Sequence, residues 1–437
     1  MLIEFTFRNF KTFKEKAVFS FVASNYDKET REQENIVAVD NFNLRLTKSA
    51  VIFGANASGK SKFIDALRFM REFAITSSKD SQKGDEINTE PFRLNTDSEN
   101  DSSEFQVIFI HQGEMYRYGF ECSTTKVESE WLYLRSNKKE VELFYRDEQG
   151  FEIHAKDFSK GQTLVKENLV RDNALMLSVA AQFNDPVAGK VLDWFSGLRS
   201  LSGISDEGYR PFTMRKTEDS NYKRRMLELI KAADLGIEDF KVEKVDLSEL
   251  PKGMDKRVRD MLSKRIAEEN AQVVDVVTVH RKYDSNGIHS GFEEFSLDHQ
   301  ESAGTQKFFS LTGPILHVLE NGFILAVDEL DSKLHPNLVC KLVALFNSKE
   351  SNPKNAQLIF NTHDTNLLSS GLFRRDQIWF TAKGRYGDAK LYPLTDYKSR
   401  KDENFEDNYI HGKYGAIPYL DDFSDLIHSN LLLNNEG

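Results

Sequence analysis

The chain has 437 residues, of which 39% are hydrophobic and 29% are charged, and its formal net charge is −11. The length suits two or three domains, or one large α/β core with an insertion, and the acidic balance excludes a chain that binds nucleic acid over its whole surface. The two cysteines, Cys122 and Cys340, are too few for a four-ligand zinc site and indicate a reducing compartment.

Two segments at the start of the chain alternate apolar and polar residues, "LIEFTFRNF" at 2–10 and "KAVFSFVAS" at 16–24. Alternation with a period of two is typical of half-buried strands, so both are predicted to be strands. Glu4 and Arg8 stand where a signal peptide would be apolar, and no apolar run in the chain approaches the ~18 residues of a membrane span. We therefore expect a cytoplasmic protein that has no membrane partner.

A strand, a glycine-bracketed loop and a helix are predicted over residues 51–70, "VIFGANASGKSKFIDALRFM". The loop has the pattern G-x-x-x-x-G-K-[ST], in which backbone N–H groups and the helix N-terminus point at one anion. The lysine of this pattern reaches the terminal phosphates, and the hydroxyl after it binds Mg²⁺, a role that falls to Ser61. The predicted nucleotide-binding residues are Gly54, Asn56, Ala57, Ser58, Gly59, Lys60, Ser61 and Lys62.

The middle of the chain changes from loop to β structure and then to helix. Residues 78–104 are polar and turn-rich, and four β-type runs separated by turns follow within 105–147, which predicts an antiparallel meander. From about residue 164 the pattern becomes helical, and residues 205–272 are predicted to be helical and strongly charged. Strands return at "VVDVVTVHRKY", residues 273–283.

Two basic segments lie in this charged region. Residues 210–225 and 252–265 each contain six Lys or Arg against two acidic residues, a net charge of +4. Solvated helix faces would account for both segments. The sharper hypothesis is a surface that contacts DNA or a protein.

A helix N-terminus is predicted in "ESAGTQKFFSL", residues 301–311, where small and polar residues precede an apolar run with helical spacing. Ser302 and Gly304 lie at this N-terminus, where free N–H groups and the helix dipole favour an anion. An ordinary helix cap explains the same residues. The position of the motif, about 20 residues before a pair of acids, favours the anion site.

Two buried-type strands end in polar residues in the second half of the chain. The first, within "GFILAVDELDSKLHP" (322–336), is apolar on both faces and ends at Asp328 and Glu329. We predict that Asp328 holds Mg²⁺ through water and that Glu329 polarises the attacking water, the alternative being a surface turn. The second, within "AQLIFNTHDTNLL" (356–368), ends at His363, which would meet a γ-phosphate if both strands end at one sheet edge.

In their order, the phosphate-binding loop, "SAGTQ", "ILAVDE" with "LDSKLHP", and "FNTHD" resemble the motifs of ABC-type ATPase heads of the SMC and RecF class. The opening "FTFRNFKTF" is similar to the first strand of that class. The resemblance covers roughly residues 1–70 and 300–395. It implies an α/β fold, a mixed sheet with covering helices and an antiparallel β subdomain, with a helical insertion.

The resemblance also implies cofactors and roles. ATP and Mg²⁺ are the expected cofactors. Ser302 and Gly304 would contact the γ-phosphate held by the other protomer of a head pair. Glu329 would be the general base, and His363 would contact the γ-phosphate.

The sequence departs from the class at some motifs. The signature Leu-Ser-Gly-Gly-Gln is Glu-Ser-Ala-Gly-Thr at residues 301–305, and Lys62 follows Ser61 where the SMC type tends to have asparagine. The class also offers a glutamine to Mg²⁺. Gln182 in "LSVAAQFND" is the first candidate for that metal ligand, with a plain helix-face residue as the alternative, and Gln112 is the second candidate.

We divide the chain into three predicted units. Residues 1–200 form the N-terminal part of an ATPase head with the loop and the meander, 201–290 form a charged helical insertion, and 291–437 form the C-terminal part with the signature, the acids and the histidine. Ser61 and Ser302 are 241 positions apart. In transporter subunits the signature lies much nearer the loop, so an elaborated lobe and an insertion must lie between them here.

Three more segments resemble a particular group within this class. "DELDSKLHP", "RRDQIWF" (374–380) and "NYIHGKYGAIPYL" (408–420) are similar to prokaryotic AAA family ATP-binding proteins of phage-defence operons, of the RloA and AbiL type and of PARIS systems. The resemblance implies an ATPase that acts as sensor or scaffold in abortive infection. It further implies a homodimer or higher homo-oligomer, paired through ATP-bound heads, beside a nuclease-like effector of TOPRIM or another type.

Two other functions stay open at this point. A RecF- or SMC-like ATPase of DNA repair or DNA handling would have DNA as its ligand. A nucleotide-gated interaction module would bind ATP without hydrolysing it. A G protein is disfavoured because the guanine motif N-K-x-D is not found, and a metal hydrolase because His and Asp do not cluster at ligand spacing.

Overall fold

A computed structural model describes residues 1–136, 139–244, 274–398 and 403–418. The strands are β1 (Leu2–Arg8), β2 (Ala17–Ser20), β3 (Ile36–Val39), β4 (Leu44–Thr47), β5 (Ser49–Gly54), β6 (Ser103–His111), β7 (Glu114–Cys122), β8 (Val127–Arg135), β9 (Val141–Asp147), β10 (Gly150–Ile153), β11 (Leu198–Ser202), β12 (Ile237–Lys244), β13 (Val274–Tyr283), β14 (His289–Ser296), β15 (Ile324–Asp328), β16 (Gln357–Asn361), β17 (Ile378–Lys383) and β18 (Ala389–Pro393). The α-helices are α1 (Glu32–Asn35), α2 (Lys60–Thr76), α3 (Gly161–Lys166), α4 (Met176–Gln182), α5 (Pro186–Ser196), α6 (Arg210–Lys216), α7 (Ser220–Ala232), α8 (Ala303–Asn321), α9 (Pro336–Asn347), α10 (Asn366–Ser369) and α11 (Phe405–Ile410). Within these ranges no helix has the length and apolarity needed to cross a membrane.

The central sheet has six strands in the order β11-β15-β16-β5-β17-β18. The first five are parallel, and β18 is antiparallel to β17. All residues of β5 and β16 are buried because helices cover both faces, which is why these strands are continuous apolar runs. In the parallel strands the carboxyl ends meet at one edge, so the ends of β5, β15 and β16 lie side by side.

A seven-stranded antiparallel sheet, β10-β9-β8-β7-β6-β1-β2, packs against α2. The predicted meander forms β6 to β9, and the N-terminal strand β1 joins its edge through β6. Phenylalanines fill the space between this sheet and α2, and the ring centroids of Phe5 and Phe63 are 5.9 Å apart. The predicted fold class, a mixed sheet with covering helices and an antiparallel β subdomain, is confirmed.

The predicted insertion over residues 201–290 is helical only in part where it is described. α6 and α7 are helices, but Ile237–Lys244, predicted to be helical, forms β12 and pairs with β13. Phe240 of β12 is buried against Phe309 of α8, with ring centroids 5.2 Å apart. Strand pairing and this burial override the helix propensity of the neighbouring Glu and Lys residues, so the helix prediction is wrong for this segment.

A buried arginine ties the segment 27–32 to the start of β17. Arg374 is fully buried, and its guanidinium donates to Asp376 Oδ1 at 3.0 Å and to Asp376 Oδ2 at 2.9 Å. It also donates to the carbonyl of Asp27 at 2.6 Å and to Glu32 Oε2 at 3.2 Å. The guanidinium charge is balanced by two carboxylates and a backbone carbonyl. Because these groups lie on both segments, the arginine fixes the long connection between β2 and β3 against the sheet.

Replacing Arg374 by Met should lower the free energy of unfolding by about 3–5 kcal/mol, because Asp376 would keep a buried charge without its main partner. Urea unfolding followed by circular dichroism measures the change. The control is Lys390→Met, an exposed position on β18, which should change stability by less than about 0.5 kcal/mol. A loss no larger than that of the control would mean that Arg374 does not anchor this segment.

Candidate nucleotide site

The phosphate-binding loop (residues 54–61) is shaped by two glycines. A Cβ on Gly54 would lie 2.4 Å from Thr381 Oγ1, and one on Gly59 would lie 2.8 Å from the Cβ of Ala389. Gly59 also has a φ of 108°, which an L side chain rarely adopts. The loop therefore bends closely over β17 and β18 only because both positions lack a side chain.

The other residues of the loop differ in what they can offer to a ligand. Asn56 and Ala57 are exposed at the tip of the loop. Ser58 is buried, and its Oγ lies 2.7 Å from Thr381 Oγ1. Ser61 is partly exposed in the first turn of α2. Lys62 donates to Asp65 at 3.2 Å, so its charge is directed along the helix.

Lys60 lies inside the concave side of the loop. Its Nζ donates to the carbonyl of Gly54 at 2.7 Å and to that of Ala55 at 3.1 Å. Burial lowers the pKa of Lys60 to about 8, while the charges of Glu329 and Asp328 act in the opposite direction. The ammonium group and the two acids therefore share one electrostatic site.

Asn361, at the end of β16, holds the two acids in place. Its Nδ2 donates to Asp328 Oδ1 at 2.5 Å, and its Oδ1 accepts from the backbone N–H of Glu329 at 2.6 Å. Asn361 is fully buried, and Glu329 has a φ of 55°. One amide thus fixes the Asp328 carboxylate and the left-handed backbone of Glu329.

Lys307 of α8 fixes the turn that follows the acids. Its Nζ donates to the carbonyls of Glu329 at 3.3 Å, Leu330 at 2.8 Å and Ser332 at 2.5 Å. Its side chain is buried, and burial lowers its pKa to about 8, partly offset by Asp331. The helix that carries the signature-like motif is therefore tied to the backbone of Glu329.

The signature-like motif has both a structural role and an exposed face. Ser302 caps α8, accepting from the N–H of Thr305 at 3.1 Å, and its side chain lies on the exposed end of the helix. A Cβ on Gly304 would lie 2.6 Å from the carbonyl of Lys333, so glycine permits close packing on the turn after the acids. The cap and the close approach explain both residues structurally, and they leave the N-terminus of a long helix at the surface.

His363 lies near this edge, and Gln182 does not. The backbone N–H of His363, two residues after β16, donates to Asp331 Oδ2 at 3.2 Å, and its ring is exposed. Gln182 ends α4, which docks at the far end of α2, where Ser178 Oγ is 2.7 Å from Ser78 Oγ. Because the 17 residues of α2 span about 25 Å, the structure does not bring Gln182 to Lys60. The second glutamine candidate, Gln112, is exposed in the turn between β6 and β7.

Ser61 and Asp328 are the residues that fit Mg²⁺. Both offer oxygen ligands, and the buried Asp331 Oδ1 nearby has no hydrogen-bond partner. In the described ranges, no group of three or more His, Cys, Asp or Glu could hold a metal ion. A site with few protein ligands suits Mg²⁺, which keeps several waters and shares phosphate oxygens.

Sequence patterns missed Asn361 and Lys307. Both act on the backbone around Glu329 from elements 22 or more residues away in the chain. A polar amide that ends a buried strand beside the acid-bearing strand was the available signal for Asn361. A lysine directly before the apolar run of the predicted helix, beside Phe308 and Phe309, was the signal for Lys307.

The loop, the acids and the parallel sheet edge define a P-loop protein with an α/β nucleotide-binding fold. A family model described as "AAA domain, putative AbiEii toxin, Type IV TA system" matches residues 49–369, and the chain belongs to this family. The predicted AAA family membership is therefore confirmed.

Two solved structures of SMC heads are similar to the chain. The SMC head domain from Thermotoga maritima is 14% identical with a TM-score of 0.41, over 90% of this chain and 98% of that chain. An SmcHead bound to the C-winged helix domain of ScpA is 13% identical with a TM-score of 0.42, over 90% and 97%. A comparison with curated proteins finds no match.

Replacing Asn361 by Ala removes both hydrogen bonds that position the acids. We expect Mg²⁺-dependent ATP turnover to fall by about 10–100-fold, as is typical when the support of a metal site is lost. A phosphate-release assay across a Mg²⁺ titration measures it, with Asn337→Ala, an exposed asparagine of α9, as the control. A parental rate in the Asn361 variant would show that the amide does not position the acids for chemistry.

Proposed function

We propose that this protein binds ATP with Mg²⁺ at the phosphate-binding loop and hydrolyses it. The observation that carries the proposal is geometric. The loop that holds Lys60 and the two acids follow strands on either side of β16, whose Asn361 is hydrogen-bonded to the Asp328 carboxylate and to the backbone N–H of Glu329. Membership of the AAA-domain family supports nucleotide binding by the same loop.

Each residue of the site has a separate role in the proposed binding and hydrolysis of ATP. The N–H groups of the loop and the start of α2 bind the phosphates, and Lys60 offsets their negative charge. Ser61 and Asp328 would hold Mg²⁺, which neutralises charge on the phosphate oxygens. Glu329 accepts a proton from the attacking water, and His363 donates a hydrogen bond to the γ-phosphate.

We further propose that ATP pairs two copies of the chain. The exposed N-terminus of α8 with Ser302 is suited to an anion, and in the heads that this chain resembles the anion is the γ-phosphate of the other protomer. Such an interface is isologous, with the same surface used on both copies. The helix that contacts the partner would also contact the backbone of Glu329, because Lys307 of that helix donates to the carbonyl of Glu329.

For the biological role, we propose a sensor or scaffold in antiviral defence that controls a partner effector, such as a nuclease-like protein of TOPRIM type. The description of the family, which names an AbiEii toxin and a type IV TA system, supports this role together with the sequence resemblance. The alternative is a DNA-handling ATPase of the SMC and RecF type. DNA-stimulated turnover of the isolated protein would favour that alternative.

In the basic segment 210–225, three of the six basic side chains form ion pairs within the protein. Arg210 pairs with Asp206 at 2.7 Å, and Arg225 pairs with Glu320. Lys223 pairs with an aspartate of β12 at 3.3 Å. Much of this charge is therefore used within the protein. The second basic segment, 252–265, lies outside the described residues.

Lys60→Ala and Glu329→Gln should separate binding from chemistry. Lys60→Ala removes a charge-assisted contact and should weaken ATP binding at least about tenfold by calorimetry. Unchanged ATP affinity of Lys60→Ala would exclude this loop as the ATP site.

Glu329→Gln keeps the shape of the side chain but not its basicity, so ATP should bind normally while turnover falls about 10²–10⁴-fold. Parental turnover of the Glu329→Gln variant would mean that another residue is the general base.

Pairing is tested in the Glu329→Gln background, where ATP should persist. Sedimentation velocity should show a dimer with ATP and a monomer without it. Adding Ser302→Arg should abolish the dimer, because a bulky cation would stand at the helix N-terminus. Ser290→Arg, at an exposed position of β14, is the control. If the Ser302 variant pairs like the control, α8 is not part of the interface.

A further inference from the structure

A cavity of about 430 Å³ lies beside α2, beyond the phosphate-binding loop. It is lined by residues of α2, β11, α6 and α8 and by Tyr209. We call it the arginine cavity, and its polar and aromatic lining consists of Arg68, Arg71, Glu72, Arg199, Ser200, Tyr209, Phe212 and His317. Its size is that of a pocket for a small molecule.

The arginines of this cavity differ in their partners. Arg68 donates to Ser200 at 3.1 Å and pairs with Asp65 at 3.4 Å, but within the described part of the chain Arg71 and Arg199 form no hydrogen bond or ion pair. Glu72, exposed at the cavity, is the carboxylate that acts on Arg71. Burial lowers the pKa of both Arg71 and Arg199, and their mutual repulsion lowers that of Arg71 further. The cavity is therefore rich in positive charge.

Two polar atoms in the wall lack partners. The Nε of Arg71 is buried with no hydrogen-bond partner, and so is the hydroxyl of Tyr209, a residue that is 4% exposed. Buried polar groups are nearly always paired, by protein or by a bound molecule. A donor from Arg71 and a hydroxyl from Tyr209 at one cavity point to a ligand with acceptor oxygens.

One wall of the cavity is aromatic. Phe212 of α6 and His317 of α8 both line the cavity, with ring centroids 5.3 Å apart and ring planes tilted by 59° to each other. Pro314 of α8 lines the cavity beside them. A planar ring can stack on the face of one of these rings and contact the edge of the other.

We propose that the arginine cavity binds a nucleotide, with its phosphate on Arg71 and Arg199 and its base against Phe212 and His317. Guanidinium groups form paired hydrogen bonds to phosphate oxygens, and a dianion offsets the repulsion between two neighbouring arginines. The unpartnered hydroxyl of Tyr209 supplies a further hydrogen bond. This site is separate from the phosphate-binding loop, and its ligand is bound without being hydrolysed.

The test uses the full chain with Lys60→Ala, which weakens binding at the loop, and calorimetric titration with AMP, GMP and inorganic phosphate. We expect at least one nucleotide to bind at one site per chain and more tightly than phosphate. Arg71→Gln with Arg199→Gln should weaken that binding at least about tenfold. Arg224→Gln is the matched control, because Arg224 donates to Asn221 on the same helix at 2.8 Å and does not line the cavity.

A milder variant keeps the test sharp if the double variant folds poorly. Tyr209→Phe removes only the hydroxyl, so the melting temperature without ligand should stay equal or rise, while the ligand-induced rise in melting temperature should shrink. Absence of binding by all three probes, or equal binding by the double variant and its control, would overturn the proposal. Phosphate binding as tight as the nucleotides would overturn the role of the aromatic wall. Duplex DNA that binds through these arginines, in place of the nucleotides, would overturn the small-molecule assignment.

Discussion

The side-chain amide of Asn361 is the contact on which the geometry of the nucleotide site depends. Asn361 belongs to β16, the strand between the loop-bearing strand β5 and the acid-bearing strand β15. Its amide nitrogen donates to the Asp328 carboxylate, and its amide oxygen accepts from the backbone N–H of Glu329. Because it is buried, water does not compete for these bonds. The distance between the phosphate-binding loop and the acids is thus set by strand pairing. The Asp328 carboxylate and the backbone of Glu329 are both held by one side chain.

The turn that follows the two acids, residues 329–333, receives two contacts from α8. Lys307 binds three of its carbonyls, and Gly304 allows the helix backbone to approach Lys333. The signature-like motif and the backbone of Glu329 are therefore held together by direct contacts. In a protein that pairs through this motif, contact with a partner and alignment of the base would be mechanically linked, because packed elements shift between discrete arrangements and do not deform continuously.

Local patterns predicted the parts of the fold whose cause is local. A period of two predicted the two N-terminal strands, and β-type runs separated by turns predicted the meander. A glycine-bracketed loop before a helix predicted the phosphate-binding loop. β12 was missed because its Glu and Lys residues favour a helix while its pairing with β13 decides the outcome. Gln182 was chosen by its place along the chain, although α4 docks at the wrong end of α2. Asn361, Lys307 and the arginine cavity depend on contacts between distant segments, which no local pattern contains.

The place of β5 in the central sheet has a consequence for the order of folding during synthesis. Its two neighbours are β16 and β17, whose residues 358 and 378 pair with Ser49 and Val51. At typical synthesis rates of about 5–20 residues per second, roughly 15–65 s separate the emergence of β5 from that of β17. The antiparallel sheet can pair as soon as β10 has emerged, whereas β5 and the phosphate-binding loop that follows it have no neighbouring strand until β16 and β17 have emerged. In a growing chain, the phosphate-binding loop therefore reaches its folded setting long after the antiparallel sheet has formed.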